Sequence, residues 1–251
     1  MKPAAFDYVA PESLEDAVQA LVSANGDGKV MAGGQSLMPL LNFRMTRPAV
    51  VVDILRIPRL ASIELKGDMV TIGGSLSHAD PAAELPMLAV LYEATIKAQG
   101  PNGRREIAAE EFFVSALTNC LEPDEIVFEI DFPLLEGHKG WAFEEVARRF
   151  GDFALASIAV SLALRDGRIT DSRVAAMGIA DTPLRLREAE AALNGAAGGV
   201  GVAARFAEVV RASVSPPDDI HVSGKYRKHL IGALAKKAFA AAWSRAAGGA
   251  P

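Results

Sequence analysis

Two short glycine runs constrain this chain most, because each follows an apolar segment that is a predicted β-strand. They are Ala32-Gly33-Gly34-Gln35-Ser36 and Thr71-Ile72-Gly73-Gly74-Ser75. Without a Cβ atom, glycine adopts positive φ at little cost and lets a ligand approach the main chain. Either run alone would favour a plain tight turn, which is a common use of Gly-Gly. Together they indicate exposed backbone N–H groups, which suit an anionic dinucleotide.

The composition indicates a globular protein of modest charge. Of the 251 residues, 50% are hydrophobic, which predicts a well-packed core and excludes a disordered chain. The net charge is −5 and no basic cluster exceeds two adjacent arginines, so we expect no nucleic-acid partner. Residues 1–7 show no apolar signal region, and the longest apolar stretch, 153–164, is too short for a membrane span. We therefore expect a cytoplasmic protein without membrane insertion.

Metal and thiol chemistry is not expected from this chain itself. The single cysteine, Cys120, can form no internal disulfide and supplies too few thiolates for an iron–sulfur cluster. The four histidines have no spacing typical of a metal site. We predict neither a metal site nor a catalytic side chain.

The apolar pattern predicts a mixed N-terminal half. Ser13 is a predicted helix cap, and Leu14, Val18, Leu21 and Val22 fall on one face of the helix that follows. The other predicted elements are strands at 30–32 and 50–54, a hairpin over 63–72, a helix at 86–91, and strands at 94–98 and 126–132. They alternate without a regular βαβ period.

The C-terminal half has a different pattern. Long strands are predicted at 142–148, 154–164 and 168–179, and helices at 185–193, 202–212 and 226–243. The segment from Gly199 to Ala204 follows a predicted helix end and not a strand, so it is predicted to be a linker and not a dinucleotide fingerprint. A boundary near 136–140 separates two domains, the second being an antiparallel sheet backed by helices.

Longer motifs extend from both glycine runs and continue along the chain. They are AGGQSLMP (32–39), TIGGSLSHADPAAE (71–84), LEPDEI (121–126), RRFGDFA (148–154), TPLR (182–185) and YRK (226–228). In this order they resemble the FAD-binding medium subunit of molybdenum hydroxylases, the group that includes carbon monoxide dehydrogenase and xanthine dehydrogenase.

This resemblance implies an α+β fold in two domains. Residues 1–136 are expected to form a FAD-binding domain of two subdomains, of the vanillyl-alcohol oxidase and methylhydroxybenzoate hydroxylase type. Residues 141–245 are expected to form a C-terminal domain of the carbon monoxide dehydrogenase flavoprotein type. That domain is expected to contain a three-stranded antiparallel sheet with helices.

The resemblance also assigns cofactor-binding residues in both glycine loops. Their backbone amides are expected to hold the FAD pyrophosphate, with Gln35 and the hydroxyls of Ser36 and Ser75 adding hydrogen bonds that offset phosphate desolvation. The assigned loop residues are Ala32, Gly33, Gly34, Gln35, Ser36, Leu37, Thr71, Ile72, Gly73, Gly74 and Ser75.

Three further positions match the family. Glu84 matches an acidic position that accepts a hydrogen bond from a ribose hydroxyl, and Val127 lies where the family packs against the cofactor. Phe153 is expected near the isoalloxazine ring. From the residues alone, Glu84 could instead stabilise a helix N-terminus, and Phe153 could be a core residue.

One segment of the family is absent from this chain. Relatives carry a few dozen residues, with a helix and an Ile-Arg-Asn lead-in, between the strand that starts near Met69 and the second glycine loop. Here residues 66–70 join directly to Thr71, as if two similar Thr-Ile-Gly sequences had been fused. Part of the wall around the flavin is therefore expected to be missing or rebuilt.

The resemblance implies electron transfer as the function. The chain is expected to receive electrons from an iron–sulfur small subunit, to store them on FAD and to pass them to NAD, a quinone or oxygen. Substrate hydroxylation is expected on a molybdopterin large subunit. Two alternatives stay open: a stand-alone flavoprotein oxidoreductase with its own substrate pocket, and a structural subunit whose FAD binding is lost or weakened.

Overall fold

The computed structural model describes residues 2–73, 79–149 and 152–248. The chain divides into two compact units, each made of several segments. The first unit contains Met1–His78, Ala94–Val114 and Thr118–Leu134, and the second contains Ala79–Glu93, Ser115–Leu117 and Leu135–Pro251.

The elements follow one another in mixed order along the chain. The strands are β1 (Asp7–Val9), β2 (Gly28–Met31), β3 (Val50–Asp53), β4 (Ile63–Lys66), β5 (Met69–Gly73), β6 (Thr95–Gly100), β7 (Gly103–Ala108), β8 (Phe113–Ser115), β9 (Thr118–Asn119), β10 (Ile126–Pro133), β11 (His138–Ala147), β12 (Ala154–Arg165), β13 (Arg168–Met177) and β14 (Leu184–Arg185). The helices are α1 (Leu14–Ser23), α2 (Leu37–Asn42), α3 (Glu84–Leu91), α4 (Ala109–Phe112), α5 (Arg187–Leu193), α6 (Val200–Ala212) and α7 (Gly224–Ala246), with a 3₁₀ turn at Pro58–Ala61.

The first unit contains a parallel sheet of three strands in the order β1-β3-β2. Helix α1 packs on it through Leu14, Ala17, Val18 and Leu21, which are buried with Val52 of β3. The helix begins as predicted, because the Ser13 hydroxyl accepts a hydrogen bond from the Asp16 N–H at 3.1 Å.

A second sheet in this unit is antiparallel, in the order β4-β5-β10-β6-β7. The predicted hairpin of β4 and β5 is confirmed, with Gly67 at φ +62° in its turn. Strand β5 therefore lies between two neighbours, β4 on one side and β10 on the other. The first unit thus contains two separate sheets, and its division into two subdomains stays a prediction from the family resemblance.

The second unit is built on an antiparallel sheet in the order β11-β12-β13-β14. The short strand β14 makes four strands where the sequence predicted three. Helices α5, α6 and α7 contribute buried residues to one core with this sheet, among them Leu193, Phe206 and Phe239. The predicted linker at Gly199–Ala204 is wrong, because Gly199 is the N-cap of α6 and the helix begins at Val200.

Helix α3 belongs to the second unit, although the predicted domain 1–136 includes it. Met87 and Leu91 are buried against Ala159 and Met177 of the sheet. Arg185 donates to the carbonyls of Val90 and Leu91 at 3.4 and 3.0 Å, which satisfies groups left free at the end of a helix. Among the described residues, no helix is long and apolar enough to cross a membrane.

Candidate functional site

The first glycine run forms a loop at the carboxyl edge of the parallel sheet. Strand β2 ends at Met31, residues 32–36 make the turn, and α2 begins at Leu37. Ligands of open sheets with parallel strands bind outside this edge, where the loops that follow the strands converge. The loop is therefore in the position at which such a fold binds an anion.

The loop leaves a row of backbone donors free. Within the described residues, the N–H groups of residues 33–37 donate no hydrogen bond to the protein. The first N–H of this segment with an internal acceptor is that of Met38, which donates to the Gly34 carbonyl at 3.0 Å. Free N–H groups in a turn that opens a helix attract negative charge. The loop thus offers backbone hydrogen-bond donors to a phosphate group.

Gly33 and Gly34 of this loop differ in whether the backbone conformation and the neighbouring atoms require glycine. Gly34 has φ +71°, a conformation that side chains rarely adopt, and a Cβ there would lie 3.2 Å from Met38 Cγ. Gly33 has no such need, because a Cβ added to it would meet nothing within 4 Å. Nothing in the described ranges therefore requires glycine at position 33, and the space beside it can admit a ligand that approaches the main chain. This observation fits a bound pyrophosphate.

Asp53 lies at the same carboxyl edge and was not predicted as part of the site. It is in register with Met31 and accepts hydrogen bonds from the Tyr8 hydroxyl at 2.5 Å and the Leu55 N–H at 2.9 Å. The hydrogen bond to Asp53 raises the pKa of Tyr8 above its usual value. Through this contact Asp53 joins β1 to β3 beside the loop. The sequence signal for it was an acidic residue ending an apolar strand.

The second glycine run is different in the part that the structure describes. Thr71, Ile72 and Gly73 are the last residues of β5, and the Gly73 N–H already donates to the Ser62 carbonyl at 2.8 Å. A Cβ at Gly73 would overlap the Arg59 carbonyl oxygen, so glycine is needed here for backbone packing. Gly74 and Ser75 lie outside the described residues. The assignment of this run to the cofactor stays a prediction.

A cluster of ion pairs covers the polar face of the antiparallel sheet around β5. Lys97 contacts Asp131 at 2.5 Å and Glu129 at 2.8 Å, and Arg59 contacts Glu129 at 2.9 Å. The Thr71 hydroxyl donates to Asp131 at 2.6 Å. Glu129 and Asp131 are only 6% and 4% exposed, so their charges require these partners.

Hydrogen-bond partners within this cluster shift the pKa values of Glu129 and Lys97. Burial raises the pKa of Glu129, but hydrogen bonds from Lys97 and Arg59 outweigh it and lower that pKa to about 2. The hydrogen bond to Asp131, with that to Glu129, raises the pKa of Lys97. Both shifts favour the charged forms of Glu129 and Lys97, and their mutual pairing indicates a structural role and not acid–base catalysis. The spacing of Glu129 and Asp131, two apart in an apolar strand, was the signal that sequence analysis missed.

The three remaining predicted residues are divided between the two units. Val127 is in the first unit and is fully buried in β10. Glu84 and Phe153 are in the second unit; Glu84 is the first residue of α3, where its charge is favourable at the helix N-terminus. Phe153 is 73% exposed, so the core alternative for it is wrong. The cofactor roles of all three stay predictions. Among the residues described, no group of three or more acidic, histidine or cysteine side chains could hold a metal ion.

A loop of unbonded backbone N–H groups at the carboxyl edge of a parallel sheet is typical of nucleotide-binding proteins. Family comparison makes the class specific. Residues 4–72 and 67–135 match the FAD binding domain in molybdopterin dehydrogenase, and residues 141–242 match the CO dehydrogenase flavoprotein C-terminal domain. The chain belongs to this family of FAD-binding medium subunits, and FAD is its cofactor.

Similar proteins cover nearly the whole chain. Caffeine dehydrogenase subunit beta of Pseudomonas sp. (strain CBB1) is 35% identical over 98% of this chain and 97% of its own. The 6-hydroxypseudooxynicotine dehydrogenase complex subunit alpha of Paenarthrobacter nicotinovorans is 33% identical over the same shares. Among solved structures, carbon monoxide dehydrogenase of Hydrogenophaga pseudoflava lacking the Mo-pyranopterin moiety has a TM-score of 0.92 at 32% identity, covering 98% of this chain and 99% of that one.

These relatives are components of multi-subunit oxidoreductase complexes, so this chain is an oxidoreductase subunit with partner subunits. The alignment with the Pseudomonas protein spans 286 positions, more than the 251 residues of this chain. The relatives therefore contain positions that have no counterpart here. The two segments that match the FAD domain overlap at residues 67–72, within the hairpin of β4 and β5.

Proposed function

We propose that this chain is the electron-transferring flavin subunit of a cytoplasmic molybdenum hydroxylase. It takes electrons from an iron–sulfur partner subunit and delivers them to an external acceptor, which is NAD, a quinone or oxygen. A partner that carries molybdopterin performs the hydroxylation. The observation that supports the flavin site best is the row of N–H groups at residues 33–37, which find no acceptor among the described residues, beside the open face of Gly33.

The residues of the first loop bind and orient the cofactor. FAD supplies the redox chemistry, because its ring system accepts electrons singly and in pairs. The amides of residues 33–37 donate to the pyrophosphate, and the exposed side chains of Gln35 and Ser36 add donors. No side chain of this chain has to exchange a proton with a substrate. The protein contributes position and electrostatic complementarity.

The remaining cofactor contacts are proposed from the family resemblance. Gly74 and Ser75 extend the donor row in the second loop, Glu84 accepts from a ribose hydroxyl, and Phe153 lies near the isoalloxazine ring. The exposure of Phe153, 73%, supports a role in ligand contact and not in the core.

One observation favours a second candidate, a structural subunit with weakened FAD binding. The overlap of the two family matches at residues 67–72 supports a family segment missing between β5 and the second glycine loop. If that segment forms part of the flavin wall in relatives, affinity for FAD is lower here. A stand-alone oxidoreductase is less supported, because the relatives are named as subunits or chains of complexes.

Flavin content and reduction test the proposal. The purified chain is incubated with FAD and desalted, its visible spectrum is recorded, and flavin is quantified after denaturation. We expect near-stoichiometric flavin that is bleached when reduced iron–sulfur and molybdenum subunits are added. The matched control is Gly33→Val, which should fold equally well and hold less flavin. A colourless wild-type chain would support the structural subunit, and bound flavin that stays oxidised would contradict the electron-transfer role.

A further inference from the structure

We propose that the end of α2 is a docking surface for a partner subunit that presents carboxylates around an apolar patch. The surface consists of Met38, Phe43, Arg44, Met45 and Arg47, and is called the α2 surface below. The proposal rests on the proposed function only in taking the partner to be another subunit of the same complex. It assigns a place and a chemistry to that contact.

The backbone at the end of α2 holds Arg44 in an unusual conformation. The Arg44 N–H donates to the Leu41 carbonyl at 3.0 Å and the Met45 N–H to the Leu40 carbonyl at 2.9 Å, which is a Schellman-type ending. Arg44 has φ +57°, the left-handed region in which this motif favours glycine. The chain therefore keeps a long cationic side chain where glycine would be easier to accommodate. Glu93 has the same left-handed conformation after α3 and is paired with Arg173, so a charged residue at such a position can have a binding partner.

The two apolar side chains that flank Arg44 in the sequence, Phe43 and Met45, are mostly exposed. Phe43 is 67% exposed and Met45 is 74% exposed, and Met38 on the same helix is 36% exposed. In a Schellman ending, the residue at the position of Met45 commonly packs back against the last helical turn. Here its exposure shows that most of this side chain is left in water. Adjacent exposed apolar residues on a folded domain are typical of an interaction site.

The charges of the α2 surface are also unpartnered. Within the described ranges, neither Arg44 nor Arg47 forms an ion pair or a side-chain hydrogen bond. Two free guanidinium groups next to exposed Phe43 and Met45 fit a partner with acidic residues around an apolar centre, because arginine binds carboxylates in a bidentate manner. The α2 surface is joined to the first glycine loop by the six-residue helix α2, which begins where that loop ends. A partner bound there lies beside the proposed cofactor loop.

A second pair of exposed apolar residues has a neighbouring cation that is already paired, and it serves as a control. Ile63 and Leu65 of the edge strand β4 are 74% and 70% exposed. Lys66 follows Leu65 and is the last residue of β4. Its ammonium group is already paired with the carboxylates of Glu64 and Glu129, each at 3.4 Å. This edge therefore offers apolar area without free charge.

The test measures association of the purified chain with the purified iron–sulfur and molybdenum subunits of its complex, at low and at high salt. The variants are Arg44→Gly and the double variant Phe43→Ser with Met45→Ser. The matched controls are Asn25→Gly, at the left-handed residue (φ 50°) that follows α1, and Ile63→Ser with Leu65→Ser. Flavin content and thermal unfolding are measured in parallel for every protein.

We expect both α2 variants to associate about tenfold or more weakly than the wild type. Arg44→Gly should also reduce the salt dependence of binding. Because glycine suits this backbone, Arg44→Gly should unfold at the same or a higher temperature, as Asn25→Gly does, which a merely structural role of the arginine would not give.

Association that is unchanged in both α2 variants, or weakened equally by the β4 control, would overturn the docking surface. Dimerisation of the isolated chain through the α2 surface, abolished by the same variants, would overturn the choice of partner. A wild-type chain that associates normally but holds no flavin would leave the docking surface in place and contradict the proposed function.

Discussion

The two glycine runs of this chain have similar sequences and different structural environments. In the first, no described atom lies within 4 Å of a Cβ placed on Gly33, and the N–H groups of residues 33–37 donate to no acceptor in the described part of the chain. In the second, Gly73 is packed against the carbonyl of Arg59, and its N–H donates to Ser62. One glycine leaves room for a ligand and the other leaves room for the protein's own backbone. A Gly-Gly motif therefore does not by itself identify which residues contact a cofactor.

The largest expected effect is that of Gly73→Ala. The added methyl group would overlap backbone atoms that cannot rotate away, so we expect a loss of about 3 kcal/mol in the free energy of unfolding. Chemical denaturation measures it. Gly33→Ala is the matched control and should change stability by less than about 0.5 kcal/mol. Equal stability of the two variants would remove the distinction between the runs.

The ion-pair cluster beside β5 predicts a pH dependence that the first loop does not share. The pKa of Glu129 is lowered from 4.5 to about 2 in the folded chain. Its stabilisation is therefore fully present above about pH 4.5 and is lost as the pH falls through about 2. We expect stability to fall by about 2 kcal/mol across this window, measured by denaturation at several pH values.

The variant Glu129→Gln isolates this contribution and should show a flatter pH profile. The control is Glu64→Gln, which removes a carboxylate from an exposed pair with Lys66 and should leave the profile close to that of the wild type. If the wild type and Glu129→Gln lose stability in parallel on acidification, the cluster does not hold the charge of Glu129.

The variant Gly33→Val tests whether the cofactor approaches the main chain at the first glycine run. Gly33→Val fills space that no atom of the described residues occupies, so the fold should persist while the affinity for FAD falls about tenfold, which corresponds to about 1.4 kcal/mol. Titration of the purified chain with FAD measures the change. Unaltered affinity would show that the cofactor does not approach this residue.

The smallest effect is expected from the hydroxyl of Ser36. If it donates one neutral hydrogen bond to the pyrophosphate, Ser36→Ala should weaken FAD binding about threefold without changing stability. Ser23→Ala provides the control, because the Ser23 hydroxyl donates to the Gln19 carbonyl in α1. An effect of Ser36→Ala as large as that of Gly33→Val would mean that the side chain, and not the backbone row, dominates the contact.

Much of the fold could be predicted because it depends on local signals. The Ser13 cap, the turn at Gly67 and the long strands of the second unit are each specified by a few neighbouring residues, and the structure confirms them. The family could be identified because its motifs keep their order along the chain. The first glycine loop is also local, since a strand, a turn and a helix follow one another there.

Other features depend on residues far apart in the sequence. The sequence pattern could not show that α3 packs with the second unit, because that depends on its contacts with Ala159 and Met177. Nor could it show the exposure of Phe153, whose apolar neighbours in β12 are buried. The partners of Glu129 come from the 3₁₀ turn, β4 and β6, and only the sheet brings them together.

The sequence by itself determined the family, the cofactor class and the two places where the backbone lacks side chains. Only the tertiary structure decided what occupies the space at each of these places. The reason is physical: a missing Cβ is a property of one residue, whereas the atoms that would meet it come from other segments. At Gly73 those atoms belong to Arg59 and Leu60, whereas at Gly33 none of the described residues supplies an atom within 4 Å, which is the space that the proposed cofactor contact requires.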